Sequence, residues 1–179
     1  MYQIKLEKDD FLRFLLFTAS KSKRMKNKRI RSRMLTTLVF IGIGLLFFQK
    51  EDKFLAYYFL ISGAICLFFY PFYYQWRYKI FYEKFIQKNY KNRIGVISEI
   101  GFEDGFIISK DKFGEDKVRL TSIEFIYEIK DNLFIRMKNG ETMAIPSKMP
   151  DYTEFKNDLS KLISNLGIAW EVELDWKWK

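Results

Sequence analysis

The sequence predicts an α+β fold, in which a two-helix transmembrane hairpin precedes an antiparallel β domain that ends in a helix. Two observations predict this class. Two apolar runs without a charged residue lie close together at residues 34–48 and 54–74, and a series of short strand patterns separated by turns follows at residues 95–146. The alternative is a buried helical hairpin in a soluble core. Such a helix shows a polar face, and neither run has one.

Composition argues against ordinary enzyme chemistry. The chain of 179 residues contains no histidine and a single cysteine, Cys66, within the second apolar run. Histidine is the commonest general base and metal ligand, and one cysteine forms neither an intrachain disulfide nor a thiolate cluster. We therefore expect a protein that is not an enzyme, with no catalytic, cofactor-binding or metal-binding residues. The N-terminus also lacks the pattern of a cleaved signal peptide.

The N-terminal segment, residues 1–33, is predicted to hold a strand and a basic helix on the cytoplasmic side. Residues 2–7 alternate apolar and polar side chains, which indicates a short strand. Asp9 or Asp10 is a candidate N-cap for the helix that follows. No Gly or Pro interrupts residues 11–33. We therefore expect this helix to continue unbroken into the first apolar run.

The hairpin is predicted over residues 34–74. The first run has 15 residues and, at ~1.5 Å per residue, spans about 22 Å of a hydrocarbon core of roughly 30 Å. The second run has 21 residues and is long enough to cross alone. Small residues near the middle of both runs permit close helix contact, or a seam in a homo-oligomer. They are Gly42, Gly44, Ser62, Gly63 and Ala64.

Basic residues flank this hairpin and predict its orientation. Eight Lys or Arg residues and no acid lie between residues 21 and 33, and six more follow between residues 77 and 93. The turn offers only Lys50 and Lys53, beside two acids. The positive-inside rule then predicts a multi-pass plasma-membrane protein with both termini cytoplasmic. The cations expected on the anionic inner leaflet are Lys21, Lys23, Arg24, Lys26, Lys28, Arg29, Arg31 and Arg33.

Aromatic residues cluster where the second helix leaves the hydrocarbon, as expected for an interfacial belt. The predicted interfacial set is Tyr70, Tyr73, Tyr74 and Trp76. Residues 75–91 then show apolar positions separated by Lys and Glu, which predicts an amphipathic connecting helix that extends the second helix. Nucleic acid is not expected as a partner of the basic run, because aromatic side chains for base stacking are missing from it.

The C-terminal domain, residues 92–179, is predicted to be a strand meander with a covering helix. Asp104-Gly105 and Asn139-Gly140 are turn dipeptides between strand patterns. The apolar spacing over residues 151–166 predicts a helix, with Asp151 or Thr153 as its cap and Gly167 as its stop. Residues 168–179 alternate strictly, which fits either a final strand of the sheet or a tryptophan-rich tail at the membrane surface.

The order of these segments resembles the YcxB-like family of bacterial membrane proteins. The resemblance covers an acidic DDFLRF start, a basic helix, two short spans and the stretch KVRLTSIEFIYEIKDNLFIRMKNGETMAIPSKM. Ser147 stands between Pro146 and Lys148, and Leu120-Thr121 replaces a tryptophan that the family often carries. The resemblance implies a pleckstrin-homology-like (PH-like) domain, an antiparallel β sandwich or barrel of two packed sheets with a C-terminal helix, and it supplies no catalytic residue.

These expectations combine into a non-enzymatic protein that tethers a PH-like interaction or regulatory module at the cytoplasmic membrane face. Its expected partners are anionic lipid, an unidentified protein and, through the small residues, a second copy. The alternative is a small self-protection (immunity) or envelope-stress protein that acts through the transmembrane hairpin itself. Five carboxylates lie between residues 103 and 116, but their spacing favours solvated hairpin turns over a cation site.

Overall fold

A computed structural model describes residues 1–178 of the chain. The fold is mixed α+β, as the sequence predicts. It divides into two compact units, which we call the β unit and the helical unit. The β unit combines Met1–Leu15 with Glu83–Lys177. The helical unit comprises Leu16–Tyr82 together with Trp178.

Three helices contribute to the helical unit: α1 at Lys8–Lys21, α2 at Lys23–Gln49 and α3 at Lys53–Asn89. By length and composition, α2 and α3 are long and apolar enough to cross a membrane. Little of either apolar segment is buried inside the protein, which differs from a helix in a soluble core. Residues 75–89, within the predicted amphipathic extension of the second helix, form the continuous end of α3.

The prediction of an unbroken N-terminal helix is wrong, because the helix is interrupted at Ser22. The Ser22 backbone is extended, and its hydroxyl accepts a hydrogen bond from the Met25 amide at 3.4 Å. Serine favours such N-cap positions because its oxygen satisfies an otherwise unpaired amide of the first turn. A single polar residue thus divides the segment into α1 and α2 without Gly or Pro.

Close contact between α2 and α3 depends on two of the predicted small residues. A Cβ added at Gly44 would lie 3.0 Å from Leu60 Cγ, and one added at Gly63 would lie 3.0 Å from Phe40 Cβ. Gly42, in contrast, has no neighbouring atom within 4 Å. Of the three glycines, Gly44 and Gly63 therefore lie at the helix contact, and Gly42 lies outside it.

The β unit contains two four-stranded sheets, with orders β1-β2-β3-β4 and β7-β6-β5-β8. Helix α4 spans Tyr152–Ile163, and its buried residues Phe155, Leu159 and Ile163 belong to the hydrophobic core of the β unit. The strands are β1 at Tyr2–Lys5, β2 at Ile97–Glu103, β3 at Phe106–Asp111, β4 at Gly114–Arg119, β5 at Ile123–Glu128, β6 at Asn132–Met137, β7 at Thr142–Pro146 and β8 at Ala169–Val172.

The N-terminal strand belongs to the same sheet as the residues that follow the helical pair. Strand β1 pairs antiparallel with β2, with Tyr2 opposite Ile100 and Lys5 opposite Ile97. The sequence predicts a separate N-terminal segment at residues 1–33. In the structure, the first 15 of these residues are part of the β unit, because the free edge of β2 accepts β1 as its partner.

Several local predictions agree with the observed β unit. Asp104 and Gly105 both have positive φ, of 48° and 80°, as the tight turn between β2 and β3 requires. Helix α4 ends at Ile163, before the predicted stop, and Gly167 lies in the turn that follows, with a positive φ of 63°. The predicted cap Asp151 does precede α4, although its side chain makes no capping hydrogen bond.

The sheets differ from the expected all-antiparallel arrangement at one strand. Strand β8 runs parallel to β5, because α4 intervenes and returns the chain in the same direction. Only four residues of the alternating tail form this strand. Further along, Trp178 donates from its indole nitrogen to the Gln75 carbonyl oxygen at 3.3 Å. No closed barrel is seen over residues 1–178.

Candidate functional site

One end of the α2–α3 pair carries a set of polar contacts that we call the polar seam. It joins Arg29, Ser32 and Arg33 of α2 to Leu67, Tyr70 and Tyr74 of α3. On α2, Ser32 and Arg33 lie three and four residues after Arg29. On α3, Tyr70 lies three residues after Leu67, and Tyr74 lies four residues after Tyr70. These spacings place each set on one helical face. Two of the eight predicted membrane-surface cations therefore contact the neighbouring helix.

One contact of the seam follows from a proline in α3. Pro71 lies inside this helix and has no backbone N–H, so the carbonyl of Leu67, four residues earlier, lacks its usual helical donor. Arg33 Nε–H donates to this Leu67 oxygen at 3.1 Å. The guanidinium thus replaces the hydrogen bond that the proline removes.

Two further contacts complete the seam. The Tyr70 hydroxyl donates to Ser32 Oγ at 2.6 Å, and the Arg29 guanidinium carbon lies 5.7 Å from the centroid of the Tyr74 ring. The Tyr74 ring is buried and stacks on Tyr78 with 4.1 Å between centroids. A hydrogen bond between hydroxyls and a cation over an aromatic face both favour a defined helix pairing.

The other predicted cations lie elsewhere on α1 and α2. Lys21 ends α1, with its Nζ 5.4 Å from the centroid of the Phe17 ring. The remaining five are exposed on the first part of α2, without an acidic residue between them; they are Lys23, Arg24, Lys26, Lys28 and Arg31.

The four predicted interfacial aromatic residues divide between the seam and the surface. Tyr70 and Tyr74 are seam residues, whereas Tyr73 and Trp76 are 50% and 62% exposed. Sequence reasoning missed that Pro71 gives Arg33 its partner. The sequence contains the signal for this contact, because a proline inside a long predicted helix leaves the carbonyl four residues earlier without its backbone donor.

A second polar cluster lies in the β unit around Asp10, which is fully buried. The Asp10 carboxylate accepts hydrogen bonds from the Glu7 amide at 2.8 Å and from Asn132 Nδ2 at 3.2 Å. Lys148 Nζ lies 3.2 Å and Arg13 Nη1 lies 3.4 Å from its oxygens. A buried carboxylate needs such donors. The cluster therefore connects the N-terminal segment to β6 and to the loop after β7.

Asp10 is not the N-cap that the sequence suggests. Helix α1 begins at Lys8, so Asp10 occupies its third position and reaches back to the amide of Glu7, as the third residue of a capping box does. Glu7 Oε2 also lies 2.8 Å from Lys148 Nζ, and this hydrogen bond raises the pKa of Lys148.

A third cluster surrounds Glu128 at the end of β5. Glu128 is buried and accepts hydrogen bonds from Lys156 Nζ at 2.6 Å and from the Trp170 indole at 3.1 Å. Nearby, burial and then the negative charge of Glu128 raise the pKa of Tyr152 to about 12. These contacts hold α4 and β8 against β5, which is a structural role.

The β unit also contains a cavity of about 290 Å³ between β1 and the loop that follows β7. Its charged lining groups are Lys5, Glu7 and Lys148, and the last two pair with each other. Among the described residues, no group of three or more His, Cys, Asp or Glu side chains is placed to hold a metal ion. The predicted acidic turn residues do not converge into such a group either.

The geometry therefore offers one well-defined polar site in the helical unit and two structural clusters in the β unit. The polar seam is the candidate functional site, because its two arginines lie beside apolar helices and residues 21–33 contain no acidic residue. Comparisons with protein-family models, with curated proteins and with solved structures each return no match for this chain.

Proposed function

We propose that this chain is a multi-pass membrane protein that holds a PH-like interaction or regulatory module at the cytoplasmic face of the plasma membrane. It performs no catalysis itself. The pairing of β1 with β2 is the observation that carries the proposal. These strands lie on either side of the helical pair in the sequence and form one sheet. If α2 and α3 cross the bilayer, both ends of the pair must emerge on the same side.

The charge distribution supports the choice of the cytoplasmic side. Fourteen Lys or Arg residues lie in residues 21–33 and 77–93, whereas the turn between the helices carries two Lys beside Glu51 and Asp52. Cytoplasmic segments carry an excess of Lys and Arg near the ends of membrane spans. Anionic lipid of the inner leaflet is the partner that these cations favour.

The two sheets and the C-terminal helix support the proposal that the β unit is the part of the protein that binds a partner. A compact core and α4 stabilise the β unit, so its surface is presented on a rigid scaffold. Tethering at the membrane raises the effective concentration of such a module near membrane-bound partners. We propose an unidentified protein partner for it, and a second copy of the chain as a further candidate.

Cysteine labelling tests the topology in intact cells. Cys66 is first replaced by serine, and single cysteines are introduced by Asp9→Cys, Glu51→Cys or Asp104→Cys, all at exposed positions. A membrane-impermeant maleimide should label Glu51→Cys in intact cells, and the other two only after lysis. Labelling of Asp9→Cys and Asp104→Cys on opposite sides would contradict the proposal.

A hairpin exchange tests the role of the module. Replacing residues 34–74 by an unrelated hairpin of the same length should leave the set of proteins cross-linked to the β unit unchanged, if the hairpin only tethers the module. Loss of these partners would instead favour a self-protection or envelope-stress protein that acts through the hairpin. Deleting residues 92–179 is a poorer test, because it also removes the partner strand of β1.

A further inference from the structure

Arg33 has hydrogen-bonding capacity that the protein does not use. A guanidinium carries five N–H donors, and the structure assigns one of them, Nε–H, to the Leu67 carbonyl. Its Nη1 and Nη2 groups form no hydrogen bond or ion pair with the described residues. The edge formed by these two nitrogens is the fork that binds a carboxylate or phosphate with two parallel hydrogen bonds.

Among the described residues, the helical unit places no acidic side chain near this fork. Between Asp10 and Glu83, the only acidic residues of the chain are Glu51 and Asp52, and both lie in the turn at the far end of the helical pair. The seam end of the unit has eight cations in residues 21–33 and also Arg77 and Lys79. An anion from outside the helical unit is therefore the matching partner for the seam.

The position of Arg33 favours a lipid as the source of this anion. Arg33 immediately precedes the uncharged run at residues 34–48, so it lies at the depth of the headgroups if α2 crosses a bilayer. The exposed side chains of Met34, Leu35 and Leu38 follow it along α2. A phospholipid offers both matching parts, a phosphate for the fork and acyl chains for the apolar face.

We propose that Arg33 binds the phosphate group of an anionic phospholipid through Nη1 and Nη2, while its Nε–H remains on the Leu67 carbonyl. Pro71 makes this site specific, because it frees the carbonyl that orients the guanidinium. The neighbouring cations favour an anionic headgroup over a zwitterionic one. The inference rests on the proposed membrane insertion and deepens it by assigning one lipid site.

Lipid retention tests the site with the full chain. The protein is purified in a neutral detergent, and native mass spectrometry counts the phosphatidylglycerol or phosphatidylcholine that stays bound. Arg33→Lys keeps the charge but loses the planar fork. Arg31→Lys is the matched control, because Arg31 is exposed on the same helix and contacts no residue of α3.

We expect phosphatidylglycerol to be retained over phosphatidylcholine, and Arg33→Lys to reduce that retention roughly tenfold, the effect of losing one charge-assisted hydrogen bond. Arg31→Lys should leave it unchanged. Equal losses in both variants, or equal retention of both lipids, would overturn the site. Displacement of the lipid by millimolar inorganic phosphate would also overturn it, because the ligand would then be a free phosphate.

Two additional measurements keep the outcome interpretable. All variants should resist extraction from membranes by alkaline carbonate, since the lipid site is not needed for insertion. Extraction of the unmodified protein would refute the membrane proposal itself, whichever lipids are bound. If Arg33→Lys does not fold, Pro71→Ala serves instead. This change gives Leu67 a helical donor that competes with Arg33 for the carbonyl, so Arg33 is less firmly oriented and lipid retention should also fall.

Discussion

Replacing Arg33 by leucine should destabilise the helical pair because it leaves the Leu67 carbonyl without any donor. The Arg33 Nε to Leu67 oxygen distance of 3.1 Å is that of a normal hydrogen bond. A hydrogen bond to a charged group contributes about 1.5–3 kcal/mol. Arg33 is partly exposed, so we expect a cost near the lower end of this range.

The same replacement should cost less when Pro71 is also changed to alanine. The new backbone N–H at position 71 then donates to the Leu67 carbonyl, and the arginine is no longer its only donor. A double-mutant cycle measures this difference and cancels the effect of Pro71→Ala alone. We expect a coupling free energy of at least about 1 kcal/mol, obtained as the difference between the two costs of Arg33→Leu.

Equilibrium unfolding is carried out in mixed micelles of a mild detergent and dodecyl sulfate and is followed by far-ultraviolet circular dichroism. It gives the free energy of unfolding of the unmodified protein, the two single variants and the double variant. Arg31→Leu is the matched control, since it removes the same charge from an exposed position of α2, and it should show no coupling to Pro71→Ala. Equal costs of Arg33→Leu in both backgrounds would refute the role of Pro71.

Three further variants test the packing of each unit separately. Gly44→Leu should destabilise the helical pair by roughly 1–3 kcal/mol through overpacking, whereas Gly42→Leu should be neutral in the same micelle assay, because no atom lies near its Cβ position. Asp10→Ala should lower the free energy of unfolding of the β unit by about 1–3 kcal/mol, since it leaves the buried Asn132 amide without its acceptor; exposed Asp9 changed to alanine is the control, and equal effects would contradict the assignment. The hydrogen bond from the Tyr2 hydroxyl to the Asp158 carboxylate raises the pKa of Tyr2 from 10.0 to about 12. The stability that this hydrogen bond contributes is therefore complete below pH 10 and is lost as the pH rises towards 12. Tyr2→Phe should reduce this alkaline loss in a denaturation series, and an unchanged series would exclude the contribution.

The local patterns of the chain predict most of its elements. Apolar runs of sufficient length predict α2 and α3, and the Asp104-Gly105 dipeptide predicts the turn between β2 and β3. The alternation over residues 2–7 predicts β1. These features depend on neighbours within a few residues, so the sequence contains the whole physical cause. The eight basic residues and the four aromatic residues are likewise visible in the sequence.

Pairing between distant segments requires the tertiary structure. Nothing in residues 2–7 indicates that β1 joins β2, some 95 residues later, because strand pairing depends on which edges are free. The parallel direction of β8 has the same origin. The buried state of Asp10 also depends on Asn132 and Lys148, which only the folded chain brings to it.

The sequence by itself determined the charge pattern and the two apolar helices. The tertiary structure decided which of the eight cations donates a hydrogen bond to a backbone carbonyl of α3. Arg33 differs from Arg31 because the face of α2 that carries it meets Leu67, and because Pro71 has left that carbonyl without a donor. Helix periodicity defines the faces, but only packing selects which face meets which neighbour.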